Sequence, residues 1–384
     1  MEVSQTTHHD PRAVIGDLEA RAAMPADLVL VFGAVGYFTQ DGLVEALRRA
    51  YPGAHLLGCS TAGEISMGGV EDGSCVITSI HFADAQARAA STRLADMSDS
   101  VAAGNRIGES LVAPNLRAIM VFGPGVNING SALVDGIVAQ VGDNVPICGG
   151  LAGDGGAFAR TWVLGDSGIG DQTVAALGLY GDGLRFAHGS FGGWQPFGPA
   201  RKVTRCENNV LFELDGEPAL AVYKRYLGEH ARELPASGLL FPFAMVGADL
   251  NGLGLIRTIL GVDEAAGSLT LAGAIDPEGY LKLMHATSDA LVSGAEVAAE
   301  AAADAARKMQ SSSGPSLAVL VSCVGRKLVM GDRVDEEVEA VADVFGTGAV
   351  VTGFYSYGEI SPFVADGRCH LHNQTMTIAW IGEG

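Results

Sequence analysis

The sequence predicts an α/β fold of the mixed α+β kind, with two domains built on mixed sheets from βαβ crossover units and hairpins, and with helices packed on the sheets. First, a length of 384 residues favours two domains at about 150 residues per domain. Second, three segments each combine a strand, a helix and a strand, which is long enough for parallel pairing. Third, strand-like runs between these segments favour antiparallel pairs, so the sheets should be mixed.

The three crossover segments share one pattern. Their strands are predicted at residues 28–32 and 54–57, 118–122 and 145–148, and 317–322 and 349–352, with a helix that has one apolar face in between. Each segment ends in a glycine-rich loop, at residues 58–65, 149–154 and 353–360. The distance along the chain from Phe32 to Gly63 is 31 residues, and so is that from Phe122 to Gly153. The spacing indicates one repeated unit.

The remaining elements follow from local patterns. We expect three hairpins, between 75–82 and 87–94, between 173–180 and 184–190, and between 255–261 and 268–271. An alanine-rich amphipathic helix is predicted at 287–310, with Leu291 and Met309 at the ends of its apolar face. Glycines and prolines cluster at 192–199 and indicate a domain boundary. The predicted division is an N-terminal helix or tail at 1–26 with His8 and His9 in a flexible end, a first domain at 27–200 and a second at 201–384.

Composition excludes several classes of function. The formal net charge of −20 argues against nucleic acids and anionic membranes as partners, because neither is attracted to an acidic surface. The sequence has no apolar run of about 18 residues that could span a membrane, and its first residues lack the features of a secretory signal. The six cysteines are scattered singly, as is typical of a reducing compartment. We therefore expect a cytoplasmic protein.

Each repeated unit ends in a glycine and an acid. In open α/β sheets ligands bind at the carboxyl ends of the strands, which is where Glu64, Asp154 and Glu359 stand. These carboxylates would repel phosphate and suit a cationic amine or several hydroxyl donors, so we expect an amino acid, an amine or a similar metabolite. The alternative is that each acid caps the turn that follows it.

A polar wall is predicted beside these loops. Tyr355 and Tyr357 alternate along the last loop, and with Glu359 and Asn373 they supply the few convergent polar groups that a pocket needs. The predicted ligand-binding residues are Cys59, Ser60, Thr61, Gly63, Glu64, Gly153, Asp154, Tyr355, Tyr357, Glu359, His372 and Asn373.

No catalytic residue is predicted. Residues 58–62 approach the Gly-x-Ser-x-Gly turn of hydrolases, but Ala62 stands where that turn needs its second glycine. A hydrolase that uses Ser60 is therefore kept as an alternative. A thiol nucleophile needs a nearby base or cation, and the linear neighbours of Cys59 supply neither.

Two histidines are candidates for the axial ligand of haem. His188 stands beside Phe191, Trp194 and Phe197, an apolar setting that suits haem ligation. His372 shares one face of a predicted strand with His370, and two histidines on one face could also hold a metal ion. The alternative for His188 is a buried imidazole hydrogen-bonded to a backbone carbonyl.

Several motifs resemble one family in their order along the chain. Residues 58–65 (GCSTAGEI) resemble the hallmark loop of the FIST N domain, and 192–198 with 214–223 resemble its junction with the FIST C domain. Residues 353–360 and 372–375 resemble the end of FIST C, so that the resemblance runs from about residue 27 to 381. It implies an intracellular module that senses a small molecule and signals to histidine kinases or cyclic-di-GMP enzymes.

The resemblance also implies that some members bind haem and respond to nitric oxide. The two FIST units account for the chain, so we expect its signal to leave through a partner protein. The predicted function is a cytoplasmic small-ligand sensor without enzymatic activity. A haem-dependent nitric oxide sensor and the Ser60 hydrolase are the alternatives.

Overall fold

The computed structural model describes residues 1–247, 252–309, 314–362 and 367–384, without the side chains of 252–254. The fold is mixed α/β, as predicted. In chain order the strands are β1 (Glu2–His8), β2 (Leu28–Gly33), β3 (His55–Ser60), β4 (Glu64–Ser66), β5 (Gly69–Glu71), β6 (Cys75–His81), β7 (Gln86–Arg93), β8 (Leu116–Gly123), β9 (Ile147–Leu151), β10 (Val163–Gly165), β11 (Gly168–Gly170), β12 (Thr173–Tyr180), β13 (Leu184–Phe191), β14 (Gln195–Pro196), β15 (Arg201–Glu207), β16 (Val210–Leu214), β17 (Glu217–Pro218), β18 (Phe243–Val246), β19 (Gly252–Arg257), β20 (Ile259–Asp263), β21 (Ser268–Leu271), β22 (Tyr280–His285), β23 (Ser316–Cys323), β24 (Ala349–Ser356), β25 (Gly358–Pro362), β26 (Cys369–His372) and β27 (Met376–Glu383). The helices are α1 (Ala13–Ala20), α2 (Val35–Phe38), α3 (Leu43–Ala50), α4 (Ser100–Leu111), α5 (Gly130–Val141), α6 (Ala219–Leu227), α7 (Ser288–Lys308), α8 (Val324–Met330) and α9 (Asp335–Phe345).

The three crossover units are confirmed. Strands β2 and β3, β8 and β9, and β23 and β24 are parallel pairs, joined through α3, α5 and the helices α8 and α9. Each second strand carries a glycine, at Gly58, Gly149 and Gly353, where a Cβ atom would lie 1.9 to 2.0 Å from a carbonyl oxygen of the first strand. Only glycine permits so close an approach of the two strands.

The three units exchange strands in a cycle, and we call the result the threefold body. Its sheets have the orders β1-β6-β2-β3-β10-β11, β7-β12-β8-β9-β25-β26 and β13-β27-β23-β24-β4-β5. In every sheet the hairpin beside the second parallel strand comes from another unit. The sheets enclose one core, in which the ring centroids of Phe32, Phe122 and Phe354 lie 4.8 to 5.5 Å apart.

Two predicted hairpins are wrong. Strand β6 pairs with β1 and β2, whereas β7 pairs with β12 in another sheet. Likewise β12 pairs with β7 and β8, whereas β13 pairs with β27. Phe82 follows β6 and Leu184 begins β13, and both are buried in the core that the three sheets share, so the chain changes sheet at each turn. The third hairpin is confirmed for β20 and β21, while residues 255–257 belong to β19 and pair with β18.

The ends of the predicted elements also shift. Strand β1 pairs with β6 along its whole length and His8 is buried, so the interpretation of a flexible end is wrong for this histidine. Helix α7 packs its alanines into the core as predicted, but Met309 is 40% exposed. Position 310, the predicted end of that helix, lies outside the described residues. Within the described residues no helix is both long and apolar enough to cross a membrane.

An antiparallel module is inserted between β13 and β23. Its sheet has the order β19-β18-β22-β15-β16-β21-β20, with β14 and β17 at its sides, and α6 packs against it. The module is bound to the chain around β26, because Arg257 donates to the carbonyl of Leu371 (3.3 Å) and Gln374 Nε2 donates to that of Leu239 (2.9 Å). The predicted boundary between residues 200 and 201 falls just before β15, and the domain limits stay a prediction.

Candidate functional site

The three glycine–acid loops meet at one end of the threefold body. The amide of Ala62 donates to the carbonyl of Tyr355, and the amide of Tyr355 donates to that of Gly63, both at 2.8 Å. On the other side, the amide of Gly153 donates to the carbonyl of Ser60 at 2.8 Å. The loops are therefore in direct contact through their backbones.

Glu64 is held by donors of its own loop and of the residue that precedes β6. It is 1% exposed and accepts hydrogen bonds from the Thr61 hydroxyl and from both the amide and the hydroxyl of Ser74, the latter two at 2.9 Å. Burial raises the pKa of Glu64 above its ordinary value, although these hydrogen bonds oppose the shift.

Glu359 repeats this arrangement in the third unit. It is fully buried and accepts from the Ser356 hydroxyl (2.7 Å) and from the amide (3.2 Å) and hydroxyl (3.0 Å) of Thr375. Burial raises the pKa of Glu359 to about 8. In both cases one donor stands three residues before the glutamate and the other immediately before a strand, β6 for Ser74 and β27 for Thr375, so the two sites are structural equivalents.

Asp154 caps its own loop. It accepts from the Tyr357 hydroxyl and from the amides of Phe158, Ala159 and Arg160, each amide at 2.8 Å. Burial acts to raise the pKa of Asp154, but the hydrogen bonds outweigh it and hold the pKa below its ordinary value. All three carboxylates thus bind donors of this chain, which is the arrangement that the capping alternative predicts.

Cys59, Ser60, Thr61 and Tyr355 of the predicted site also lie in the interior. Cys59 and Ser60 are fully buried, and burial raises the pKa of the Cys59 thiol. Ser60 Oγ donates to the carbonyl of Gly153 (2.6 Å) and accepts from the amide of Trp162 (2.9 Å). Thr61 and Tyr355 are also buried, and the Tyr355 hydroxyl donates to Glu337 (2.6 Å) rather than to a cavity.

A cavity of about 630 Å³ lies between the threefold body and the inserted module. From the body come residues 125–130, Phe158, Tyr357 and Asn373, and from the module come Asn208, Asn209 and residues 270–274. Two predicted site residues, Tyr357 and Asn373, therefore line it. Among the described residues of its wall, none has a charged side chain.

Asn373 is the buried polar group of this wall. Its side chain is 1% exposed, and its Oδ1 has no hydrogen-bond partner among the described residues. A buried acceptor left unpaired costs about 1–3 kcal/mol, which a bound donor would recover. Nearby, the rings of Phe158 and Tyr357 are stacked with their centroids 4.0 Å apart and add an aromatic surface.

Asn373 has a counterpart at another corner of the body. Glu64 pairs with Glu71 across β4 and β5, as Glu359 pairs with His372 across β25 and β26. The next residues, Asp72 and Asn373, are therefore equivalent. Asp72 forms an ion pair with Lys327 of helix α8, which follows strand β23. After the equivalent strand β8 the chain forms the loop 124–129 instead, and this loop borders the cavity.

The two candidate histidines differ in their surroundings. His372 is 1% exposed, its Nε2 donates to the carbonyl of Ser361 (3.1 Å), and burial lowers its pKa to about 4. His188 lines a second cavity, of about 480 Å³, together with Arg117 and Arg368, and its buried Nδ1 has no partner among the described residues. Burial lowers the pKa of His188. The described residues contain no group of three His, Cys, Asp or Glu side chains placed to hold a metal ion.

The sequence reasoning missed most of the cavity wall. Asn127 and Asn129 follow strand β8, and Asn208 with Asn209 lies between β15 and β16. The signal was a pair of asparagine clusters at strand ends. It is weak in isolation because asparagine is also the common residue of turns.

The comparisons agree with the motifs quoted above. A FIST N domain model matches residues 27–217, and a FIST C domain model matches 219–362. An uncharacterized protein of Methanocaldococcus jannaschii is 23% identical over 253 residues, which is 62% of this chain but 44% of the relative, so the chain spans less than half of that protein. A cyanuric acid hydrolase structure from A. caulinodans aligns over 100% of this chain and 98% of its own, with a TM-score of 0.35 and 12% identity. The two domain models cover most of the sequence, and the chain belongs to the FIST family, with a FIST N domain followed by a FIST C domain.

Proposed function

We propose that this protein is a cytoplasmic small-ligand sensor that binds its ligand in the 630 Å³ cavity and signals through a partner protein. FIST domains are sensory domains that bind small ligands. The observation that carries the choice of site is the buried, unpaired Oδ1 of Asn373 in the cavity wall. A concave, largely apolar cavity with a few polar groups is the usual form of a small-molecule site.

The position of the cavity supports a sensory role. Its walls come from the threefold body and from the inserted module, so a ligand that touches both stabilises one arrangement of the two parts. A partner that recognises this arrangement would register occupancy. We propose a histidine kinase or a cyclic-di-GMP enzyme, acting in trans, as this partner.

A thermal-shift screen with amino acids, amines, neutral amides and haemin tests the site. A compound selective for the native state raises Tm. We expect the selected compound to act on the wild type and on Ala265→Trp, which carries the added ring on an exposed turn of the module. The shift should vanish in Ala236→Trp, because Ala236 is exposed and lines the cavity. Equal shifts in all three proteins would place the ligand elsewhere. The compound should then change the activity of a co-purified kinase or cyclic-di-GMP enzyme.

The proposal gives Ser60 a structural rather than a catalytic role. Its Oγ is fully buried and its two hydrogen bonds are to backbone groups of neighbouring loops. We expect a panel of esters and amides to show no turnover that Ser60→Ala removes. Turnover that depends on Ser60 would restore the hydrolase alternative.

A haem-dependent nitric oxide sensor is the second candidate, and His188 favours it. His188 Nδ1 has no partner among the described residues and stands beside a 480 Å³ cavity, which supports a role as an axial ligand. Arg117 and Arg368 in the wall would hold acidic propionates in exchange for their present partners, Asp182 and Asp143. When bound, haem supplies an iron that takes up nitric oxide. Protein from haem-replete cells should show a Soret band that shifts with nitric oxide and is lost in His188→Ala. A colourless protein that takes up no added haemin would contradict this candidate.

A further inference from the structure

Among the described residues that line the cavity no side chain is charged, and the buried Arg257 behind the wall is turned to the carbonyls of Ala274 and Leu371. An ion that enters it leaves water without gaining a counter-ion, and burying an unpaired charge costs far more than burying a neutral polar group. The five asparagines of the wall, together with Thr270, are polar but neutral. The lining therefore selects against both carboxylates and ammonium groups.

Two features of the wall favour opposite hydrogen-bonding groups on a ligand, a donor and an acceptor. Asn373 Oδ1 is an acceptor and needs a donor. Helix α5, with 12 residues, begins at the wall with Gly130. Asn129 Oδ1 accepts from the amide of Ala132 (3.1 Å), and the amides before it, of Gly130 and Ser131, carry partial positive charge that favours an acceptor. The two features are neighbours, since a Cβ atom on Gly130 would lie 2.9 Å from Leu371, two residues before Asn373.

The aromatic surface favours a flat ligand. Phe158 and Tyr357 are stacked at an interplanar angle of 14°, and Phe158 keeps 38% of its surface exposed. Planar rings gain both apolar burial and favourable stacking on such a surface.

From these observations we infer that the ligand is a neutral, planar compound with an amide-like group, whose N–H donates to Asn373 and whose carbonyl accepts from the start of α5. This inference rests on the proposed function, because it concerns the same cavity. A carboxylate offers two acceptors and an amidinium offers only donors, so each satisfies one of the two features. A primary or cyclic amide satisfies both.

Benzamide, benzoate and benzamidine test the inference, because they share one shape and differ in charge. Binding is measured by ligand-observed NMR titration at neutral pH. We expect wild-type protein to bind benzamide about tenfold more tightly than either ion, the equivalent of one buried hydrogen bond. Asn373→Leu should weaken benzamide binding by about tenfold. Asn373→Asp should reverse the preference in favour of benzamidine, since it supplies a counter-ion.

The controls separate this inference from the proposed site. Benzamide binding that is lost in Ala236→Trp but kept in Ala265→Trp places the probe in the cavity. A preference for benzoate or benzamidine, with the same dependence on Ala236→Trp, would overturn the ligand class while leaving the site intact. Benzamide binding that neither Ala236→Trp nor Asn373→Leu affects would overturn the inference at this cavity. Circular dichroism of each variant checks its folding.

Discussion

Two corners of the threefold body, at the hairpins β4–β5 and β25–β26, are built in the same way but differ in the residue that ends the hairpin. At both, a buried glutamate accepts three hydrogen bonds and anchors a hairpin, β4–β5 in one case and β25–β26 in the other. At the first corner Asp72 pairs with Lys327. At the second, the equivalent Asn373 has no such cation among the described residues and lines the cavity. The comparison teaches that the candidate site lies at the corner where Asn373 stands in place of the ion-paired Asp72.

Removing the buried glutamate of either corner should have the largest effect on stability. Glu64→Ala and Glu359→Ala each leave three buried donors without an acceptor, and each should lower the free energy of unfolding by about 3–5 kcal/mol. Urea unfolding measures both, with Glu45→Ala on the exposed face of α3 as the control. A loss near zero in one variant and a large loss in the other would show that the corners are not energetically equivalent.

Exchanging the residue types of Asp72 and Asn373 between the two corners should have the next largest effect on stability. Asn373→Asp places a carboxylate at a position that is 1% exposed and has no lysine, and should cost about 1–3 kcal/mol at pH 8. Asp72→Asn should cost less than about 1 kcal/mol, because Asp72 is largely exposed. Thermal melts at pH 8 and pH 5 compare the two, and the cost of Asn373→Asp should shrink at the lower pH. An equal cost for both exchanges would break the comparison.

Stability should depend on pH through Glu359. Its folded-state pKa of about 8 lies above the ordinary value of 4.5, so the folded state keeps its proton longer than the unfolded state. The free energy of unfolding should therefore fall by about 1.4 kcal/mol per pH unit at most as the pH rises from 5 to 8. Glu359→Gln should abolish this contribution. His372 acts in the opposite direction at acidic pH, because burial lowers its pKa to about 4. The free energy of unfolding is therefore measured by urea unfolding at each pH for the wild type and for Glu359→Gln, and the two curves are subtracted. A difference that does not change with pH would contradict the prediction.

Breaking the surface ion pair should have the smallest effect. Lys327→Met removes the pair with Asp72 and a hydrogen bond to the carbonyl of Ala62 (2.9 Å). Because the pair is partly exposed, we expect a loss of about 0–1 kcal/mol in thermal unfolding. Benzamide binding should not change, and a change would link this corner to the cavity.

The repeated units could be predicted because each is a local pattern of strand, helix and strand. The two failed hairpins show what such patterns omit. The turn before β7 looks like a hairpin turn, but Phe82 is drawn into a core shared by three sheets, and its neighbours in that core come from distant parts of the chain. The likeness of the three loops was predicted from their spacing. The spacing did not decide what their carboxylates bind, because the donors Ser74 and Thr375 stand later in the chain, just before β6 and β27. The cavity depends on the inserted module, whose position no local pattern gives.

The cyclic exchange of strands determines how the protein unfolds. The hairpin that follows each unit pairs with the sheet of another unit. The sheet of the first unit contains β10 and β11, that of the second contains β25 and β26, and that of the third contains β4 and β5. Partial opening of any unit exposes the edge of a sheet elsewhere. Denaturation of the body should therefore be a single cooperative transition, and assembly must wait for segments that are some three hundred residues apart in the chain, which makes folding slow.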